Sequence, residues 1–315
     1  MANNNAVVGQ AIVGQAQAGN SGDTVIRRRY VPVKHSVYFA PVEMDGSEIL
    51  RNGKNTYLDW DLVPMPVPTV PEPDDATPTV TIPGAIYVPE LRLTGATGGF
   101  SIFGMRSGTW TFRPRRTGLW TRRFSDIANY LNGRMLKVVL DDDKGFYYIG
   151  TVEAQTWDVG DMVSTVMFSY KFYPYKYELT DSLTPWLWDP FSFVNGVIRK
   201  YGNLAVNTSR ELIIYGREMP VVPDFYPVTN HTGLTVTVGG VTYPLYATKN
   251  GVKYDGINAG LTGYTVPDGT SYDPNTGRFT VSDIVITGDG TEATGTALTF
   301  AGTGTVSVAY RGGRL

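Results

Sequence analysis

The sequence predicts a mainly β protein with one short helix, and three observations support this fold class. The 36 glycines and 20 prolines make up about 18% of the 315 residues, against roughly 12% in average proteins, which indicates many turns. Apolar and polar residues alternate in short runs along most of the chain, as in half-buried antiparallel strands. Only one segment, 124–132, combines helical spacing with residues that end a helix.

The predicted helix spans 124–132. Ser125 is expected to cap its start, and Asn132 and Gly133 suit the left-handed conformation that ends a helix. Three alternating runs follow between residues 135 and 172. They predict a three-stranded antiparallel meander.

Composition divides the chain into four segments. Residues 1–25 carry an imperfect five-residue repeat with few large apolar residues. Two interpretations remain: a flexible arm, and an arm that becomes ordered against a neighbouring subunit. Residues 26–178 hold the helix and the meander, and residues 179–199 form a connector. Residues 200–315 are rich in Thr, Gly and Val. Their alternation predicts an antiparallel β-sandwich that contains a hairpin with a two-glycine turn at 239–240.

Composition also excludes several classes of site. The chain has no cysteine, which rules out disulfides, thiolate catalysis and Cys-ligated metals. The two histidines, His35 and His231, cannot form a three-His metal site, lie in no nucleophile motif, and are interpreted as surface or structural residues. The sequence therefore predicts no metal and no cofactor.

An enzyme is not expected. A paired-carboxylate glycosidase remains an alternative only because the two catalytic acids of such an enzyme can lie far apart in the sequence. No apolar run is long enough for a transmembrane helix, and the first residues lack the pattern of a secretory leader. We therefore expect a protein that is made in the cytoplasm and stays there or enters an assembly.

A cluster of arginines and aromatic residues lies between residues 106 and 123. This composition occurs in nucleic-acid sites and in protein–protein interfaces, and a strand pair with one solvated charged side is a third interpretation. The 27 basic and 29 acidic residues give a net charge of −2, which favours a protein interface over a phosphate-binding one. The candidate interface residues are Arg106, Arg113, Arg115, Arg116, Trp120, Arg122 and Arg123.

Three adjacent aspartates, Asp141, Asp142 and Asp143, precede Lys144 and Gly145. They fit a solvated hairpin turn better than a calcium loop, whose carboxylates alternate along the chain. An ion site and a surface that faces a partner are the other interpretations. We hypothesise that this acidic turn meets the arginine cluster of another copy, which adds the three aspartates to the candidate interface.

Several motifs occur in a characteristic order along the chain. They are KNTYLDWDLV (54–63), IPG (82–84), IANYLNG (127–133), LDDD (140–143), FYYIG (146–150), YPYKYE (173–178) and GTGTVSVAYRGGRL (302–315). Their order and spacing across about residues 30–315 resembles that of the distal tail proteins of long-tailed siphophages. The arm at 1–25 lies outside the resemblance.

The resemblance implies a structural role at the tip of a virion tail, with assembly in the bacterial host cytoplasm. Residues 26–178 would be a β domain that closes into a homo-hexameric ring, and residues 200–315 a galectin-like sandwich that faces outward. The ring would join the tail tube to the baseplate or tail-tip hub, with a channel through which DNA passes without tight binding. We expect the arginine cluster at subunit contacts and not on the channel wall.

The implied partners are the tail tube protein, the tail-associated hub protein, the tape measure protein and, on the outer domain, receptor-binding proteins. The alternative function is a host-surface carbohydrate-binding module in residues 200–315. Its candidate stacking residues are Tyr243, Tyr246, Tyr254 and Tyr272. A cell-wall hydrolase is the third class, for which we expect no turnover.

Overall fold

The protein is mainly β, as the sequence predicts. The computed structural model describes residues 34–42, 53–77, 101–116, 120–159, 164–184, 200–228 and 232–315, and the backbone of strands at 4–8, 11–16, 28–30, 79–81 and 90–92. Within these residues there are 23 strands and one helix. No helix in the described part of the chain is both long and apolar enough to cross a membrane.

The secondary structure elements follow one another in two groups. The first group is β1 (Asn4–Val8), β2 (Ala11–Ala16), β3 (Arg28–Tyr30), β4 (Val37–Pro41), β5 (Lys54–Asn55), β6 (Leu62–Pro64), β7 (Thr79–Thr81), β8 (Glu90–Arg92), β9 (Arg106–Pro114), α1 (Trp120–Leu131), β10 (Met135–Leu140), β11 (Phe146–Val159), β12 (Ser164–Phe172) and β13 (Lys176–Glu178). The second group is β14 (Leu204–Ile214), β15 (Asp224–Pro227), β16 (Thr232–Val238), β17 (Val241–Pro244), β18 (Ala247–Lys249), β19 (Val252–Tyr254), β20 (Thr270–Asp273), β21 (Arg278–Val281), β22 (Thr296–Ala309) and β23 (Gly313–Arg314).

The chain divides into two compact units. The first unit comprises Met1–Lys176 with Trp188–Ser192, and the second comprises Tyr177–Leu187 with Phe193–Leu315. Residues 185–199, which make up most of the predicted connector, lie outside the described residues. The four predicted segment boundaries stay predictions.

The repeat-bearing segment contains strands β1 and β2, which pair with each other, and β2 also pairs with β3. The flexibility of residues 1–25 stays a prediction.

The main sheet of the first unit has the order β5-β4-β10-β11-β12-β9-β6. The pairs β10–β11 and β11–β12 are antiparallel, which confirms the predicted meander. Its alternation places one set of side chains in the core: Leu136, Val138 and Leu140 in β10, and Val166, Phe168, Tyr170 and Phe172 in β12 are buried. Burial therefore alternates along these strands with the same two-residue period as the apolar residues in the sequence.

The helix α1 spans Trp120–Leu131, so it begins four residues before the predicted range of 124–132. Ser125 does not cap it. Its hydroxyl lies inside the helix and donates to the carbonyl of Thr121 at 3.0 Å, a bond that helices tolerate. Ile127 is buried on the core side, and Gly133 follows the helix with φ of 73°, as predicted for its end.

The second unit is built around β22, a strand of 14 residues. It pairs with β14 on one side, and on the other with β16 and then β15, within the order β17-β16-β22-β15-β21-β20. Gly239 and Gly240 have φ of 56° and 84° between β16 and β17, which confirms the predicted two-glycine hairpin turn. The antiparallel β class is confirmed for this unit, whereas its galectin-like arrangement stays a prediction.

Candidate functional site

The arginines predicted as one cluster occupy different environments. Arg106 is buried at the start of β9, whereas Arg113 is exposed near the end of the same strand. Trp120 and Arg122 are exposed in the first turn of α1, and Trp120 retains 41% of its accessible surface. Only part of the predicted set can therefore face a partner directly.

Arg106 is a structural residue, which corrects its assignment to a contact surface. Its side chain is 3% exposed, with Nε donating to the carbonyl of Pro174 at 2.6 Å and Nη1 donating to that of Pro71 at 2.8 Å. Burial lowers the pKa of Arg106, and the nearby Tyr148 and Glu72 partly oppose this effect. Arg106 thus fixes two loop segments from inside the sheet.

Asp61 brings three other arginines together. Its carboxylate lies 3.3 Å from Nη1 of Arg115, 3.9 Å from Nε of Arg116 and 3.7 Å from Nη2 of Arg123. The backbone N–H of Arg115 also donates to the Asp61 carbonyl at 2.7 Å, which fixes the end of β9 beside the start of β6. Three guanidinium groups around one carboxylate leave an excess of positive charge.

The aromatic core holds Asp61 in position. The preceding residue, Trp60, stacks on Phe39 at 5.6 Å between ring centroids and meets Tyr130 edge-on at 5.7 Å. Asp61 has φ of 55°, a left-handed conformation that Asp adopts more readily than most residues. Asp61 was not among the predicted site residues, and its signal in the sequence is its place in the Asp-Trp-Asp run at 59–61.

A rigid turn presents an apolar side chain next to these charges. Leu58 is 79% exposed, and the Asn55 side chain accepts the backbone N–H groups of Tyr57 and Leu58 at 2.8 and 3.1 Å. Arg115 lies over the Tyr57 ring at 4.3 Å from its centroid, and Lys34 lies 5.2 Å from the same centroid. We call Tyr57, Leu58, Asp61, Arg115, Arg116 and Arg123 the arginine patch.

A small pocket adjoins the arginine patch. It is lined by Asp59, Trp60, Asp61, Arg123, Asp126 and Ile127 and has a volume of about 110 Å³. The Asp59 carboxylate already lies 3.6 Å from Nζ of Lys54, while Asp126 is exposed at the rim. The size suits a few water molecules or a single small side chain.

Each aspartate of the acidic turn contacts a side chain of its own chain. As predicted, residues 141–145 form the turn between β10 and β11. Asp141 pairs with Lys144 at 2.7 Å and Asp143 with Lys176 at 2.7 Å. Asp142 contacts His35 Nδ1 at 2.8 Å. Among the described residues, no ion pair joins these aspartates to the predicted arginines, and no group of three potential metal ligands occurs.

A second arginine site, which sequence analysis missed, lies at the end of the second unit. Nε of Arg217 contacts Oε1 of Glu178 at 2.8 Å, and their side chains are only 6% and 7% exposed. Nη1 of Arg311 donates to the carbonyls of Glu178 and Leu179 at 2.6 and 2.8 Å. We call this group, with Gly312, the C-terminal clasp. The available signal was the Arg-Gly-Gly-Arg run at 311–314.

Gly312 allows the clasp to close. A Cβ at this position would lie 2.5 Å from Oε2 of Glu178 and 2.8 Å from Cγ of Arg217. The backbone N–H of Glu178 donates to the Gly312 carbonyl at 2.9 Å. The close approach of the two segments therefore requires a residue without a side chain.

The tyrosines proposed for sugar stacking are mostly unsuited to it. Tyr243 and Tyr272 are 8% and 5% exposed and belong to the core of the second unit. The ring of Tyr246 has Nζ of Lys253 at 4.2 Å from its centroid, and Tyr254 is half-buried. His231, the second histidine of the chain, lies outside the described residues.

Comparison with known proteins adds a distant structural similarity. No family model and no curated protein matches the chain. Among solved structures, the crystal structure of the SPP1 Dit (gp 19.1) protein, described as a paradigm of hub adsorption apparatus in Gram-positive infecting phages, has a TM-score of 0.41 at 12% identity. The similarity covers 89% of this chain and 99% of the other. At this TM-score, the function has to be argued from the chain's own residues.

Proposed function

We propose that this chain is a structural, non-catalytic subunit of a phage tail, the distal tail protein of a siphophage-type virion. Six copies would close into a ring at the tail tip after assembly in the host cytoplasm. The ring would join the tail tube protein to the hub, surround a channel that conducts DNA, and contact the tape measure protein. The second unit would serve as an outer platform for receptor-binding proteins.

The observation that carries this proposal is that the motifs behind the family resemblance pack on one another. Trp60, from the motif at 54–63, contacts Tyr130, from the motif at 127–133. Asn132 of the latter accepts the backbone N–H of Ala154 on β11 at 2.8 Å. The motifs at 140–143 and 146–150 meet in the β10–β11 hairpin. The motifs at 54–63, 127–133, 140–143 and 146–150 thus contribute to the framework of the first unit.

The arginine patch supports a role in assembly. It combines exposed guanidinium groups with an apolar side chain, Leu58, that is exposed to solvent. Arginine flanked by aromatic and apolar side chains is enriched at the centre of protein interfaces. A ring subunit needs such a surface on one side and a different, complementary surface on the other.

The test is the mass and shape of the purified full chain. Light scattering on the eluted peak should give six times the chain mass of 34.5 kDa, about 207 kDa. Negative-stain images of the same peak should show a ring with an open centre. A monomer of 34.5 kDa that persists at the highest soluble concentration would contradict the proposed ring.

A further inference from the structure

A proline-rich strap crosses the first unit and ends at the opposite end of β9 from the arginine patch. The strap runs from Met65 to Thr77, and donors from the sheet bind its carbonyl groups. Trp110 Nε1 and the Tyr170 hydroxyl donate to the Thr69 carbonyl at 2.8 and 3.2 Å. Because prolines lack an N–H, binding through carbonyl oxygens is how such a segment can be held on a sheet.

The far end of the strap is held equally firmly. The backbone N–H of Gly104 donates to the Asp74 carbonyl at 2.8 Å, and that of Ala76 donates to the Ile102 carbonyl at 2.8 Å. Arg106 binds the Pro71 carbonyl from below. The backbone at Glu72 and Asp74 is therefore fixed while both residues are exposed.

These two acids form a second surface of mixed acidic and apolar character. Neither Glu72 nor Asp74 has a cation within ion-pair distance in the described part of the chain, although Glu72 faces the buried Arg106. Beside them, Ile102 and Met105 are 42% and 39% exposed. We call Glu72, Asp74, Ile102 and Met105 the acidic patch.

The two patches cannot meet within one molecule. The arginine patch adjoins Pro114, and the acidic patch adjoins Arg106, at the two ends of β9. With about 3.4 Å per residue, these ends are roughly 27 Å apart on a rigid sheet. Complementary surfaces on opposite ends of a subunit produce head-to-tail contacts, which close into a ring when the rotation allows it.

We propose that the arginine patch of one copy docks on the acidic patch of the next copy, with Leu58 against Ile102 and Met105. This inference rests on the proposed ring and names its contact. It replaces the acidic turn at 141–143 as the partner of the arginines, because Asp141 and Asp143 already pair with lysines of their own chain and Asp142 already contacts His35. Glu72 and Asp74 supply negative charge to complement the excess of positive charge around Asp61.

Charge reversal of each patch, alone and in mixture, tests this contact. The first variant, Arg115→Glu/Arg116→Glu, places acids on both surfaces, and the second, Glu72→Arg/Asp74→Arg, places bases on both. Each alone should raise the concentration for half-assembly at least about tenfold, since like charges then face each other. An equimolar mixture should assemble again, because the two variants can alternate around a ring with an even number of subunits.

Matched controls separate this contact from a general effect of charge. Glu153→Arg/Asp158→Arg reverses two exposed acids of β11 outside both patches and should assemble as the wild type does. Asp142→Arg changes the acidic turn and should also leave assembly intact. Light scattering over a concentration series, at low and at moderate salt, measures all variants.

Each alternative outcome is distinct. If both patch variants assemble like the wild type, if the mixture fails to assemble, or if Asp142→Arg abolishes assembly, the proposed contact is wrong while the ring itself stands. If the wild type stays monomeric throughout, the ring and the contact fall together. Recovery of assembly in the mixture also demonstrates that both variants are folded.

Discussion

Arginine meets carboxylate in two regions of this protein, and the two regions differ in their access to water. In the arginine patch, three guanidinium groups lie 3.3 to 3.9 Å from Asp61, and the Arg116 side chain is 72% exposed. In the C-terminal clasp, Arg217 and Glu178 lie 2.8 Å apart with 6% and 7% exposure.

This difference indicates different roles for the same chemistry. Exposed ion pairs contribute about 0–1 kcal/mol to stability, because water screens the charges and the long side chains lose entropy. A buried charge that loses its partner costs about 3–5 kcal/mol. The ion pairs of the patch can therefore break at little cost to the fold, whereas that of the clasp stabilises the second unit.

The largest expected effect follows from removing one partner of the clasp. Arg217→Ala should lower the free energy of unfolding of the second unit by about 3–5 kcal/mol, because the buried Glu178 would lose the cation that lies 2.8 Å from it. Denaturant unfolding of the full chain, followed by circular dichroism, measures the loss. The control Glu178→Leu/Arg217→Met removes both charges and should recover much of the stability. A loss no larger than that expected for the exposed patch would remove the contrast between the two regions.

A smaller effect is expected from filling the space at Gly312. Gly312→Ala places a Cβ 2.5 Å from Oε2 of Glu178, so the ion pair has to shift. Overpacking of this kind costs about 1–3 kcal/mol. Gly145→Ala is the matched control, because its Cβ would meet no atom within 4 Å. Equal denaturation midpoints for the two variants would contradict the tight packing of the clasp.

The patch itself should be tolerant. Asp61→Asn keeps a side chain that adopts the left-handed conformation and removes only the charge, so the loss should stay below about 1 kcal/mol. Because the groups are partly exposed, 1 M salt should reduce the difference from the wild type. If the same unfolding experiment gave a loss near that of Arg217→Ala, Asp61 would be essential to the stability of the fold, and the patch would not differ from the clasp.

The smallest effect concerns the carboxylate of Asp289, which accepts hydrogen bonds from two threonine hydroxyls and one backbone N–H. The hydroxyls of Thr291 and Thr294 donate to Asp289 at 2.6 Å, and together with the backbone N–H of Thr291 at 2.9 Å they lower its pKa from 3.8 to about 2. Since the folded pKa is below the unfolded one, the contribution to stability is present above pH 3.8 and is lost as the pH falls through about 2. Carboxyl NMR titration should show Thr291→Val and Thr294→Val raising this pKa. An unchanged pKa would show that the hydroxyls are not its cause.

Local patterns predicted local structure well. The meander at 135–172 and the hairpin at Gly239-Gly240 depend on alternation and turn chemistry among neighbours in sequence, and both are confirmed. The helix start was wrong because Ser125 fits a cap and a helix interior alike. Which of the two positions Ser125 occupies depends on tertiary contacts of the helix, such as that of Phe124 with Trp157 at 6.3 Å between ring centroids. No local sequence pattern contains such contacts.

The candidate site was predicted only in part for the same reason. A run of arginines in sequence gives no information on burial, so Arg106 and Arg116 looked alike although one is in the core and the other is the most exposed arginine of the patch. Asp61 lies more than one strand away in sequence from every arginine that it binds. The clasp joins residues near 178, 217 and 312, which no sequence window contains together.

The amino-acid sequence by itself determined the β class, the antiparallel meander and hairpin, the single helix in the described part, and the exclusion of cysteine chemistry. These follow from composition and short-range periodicity, which act within a few residues. Only the tertiary structure decided which charges are buried, which carboxylate contacts three arginines, and that two aspartates of the acidic turn pair with lysines of their own chain. Those outcomes depend on desolvation and on contacts between distant segments, which exist only once the sheets have formed.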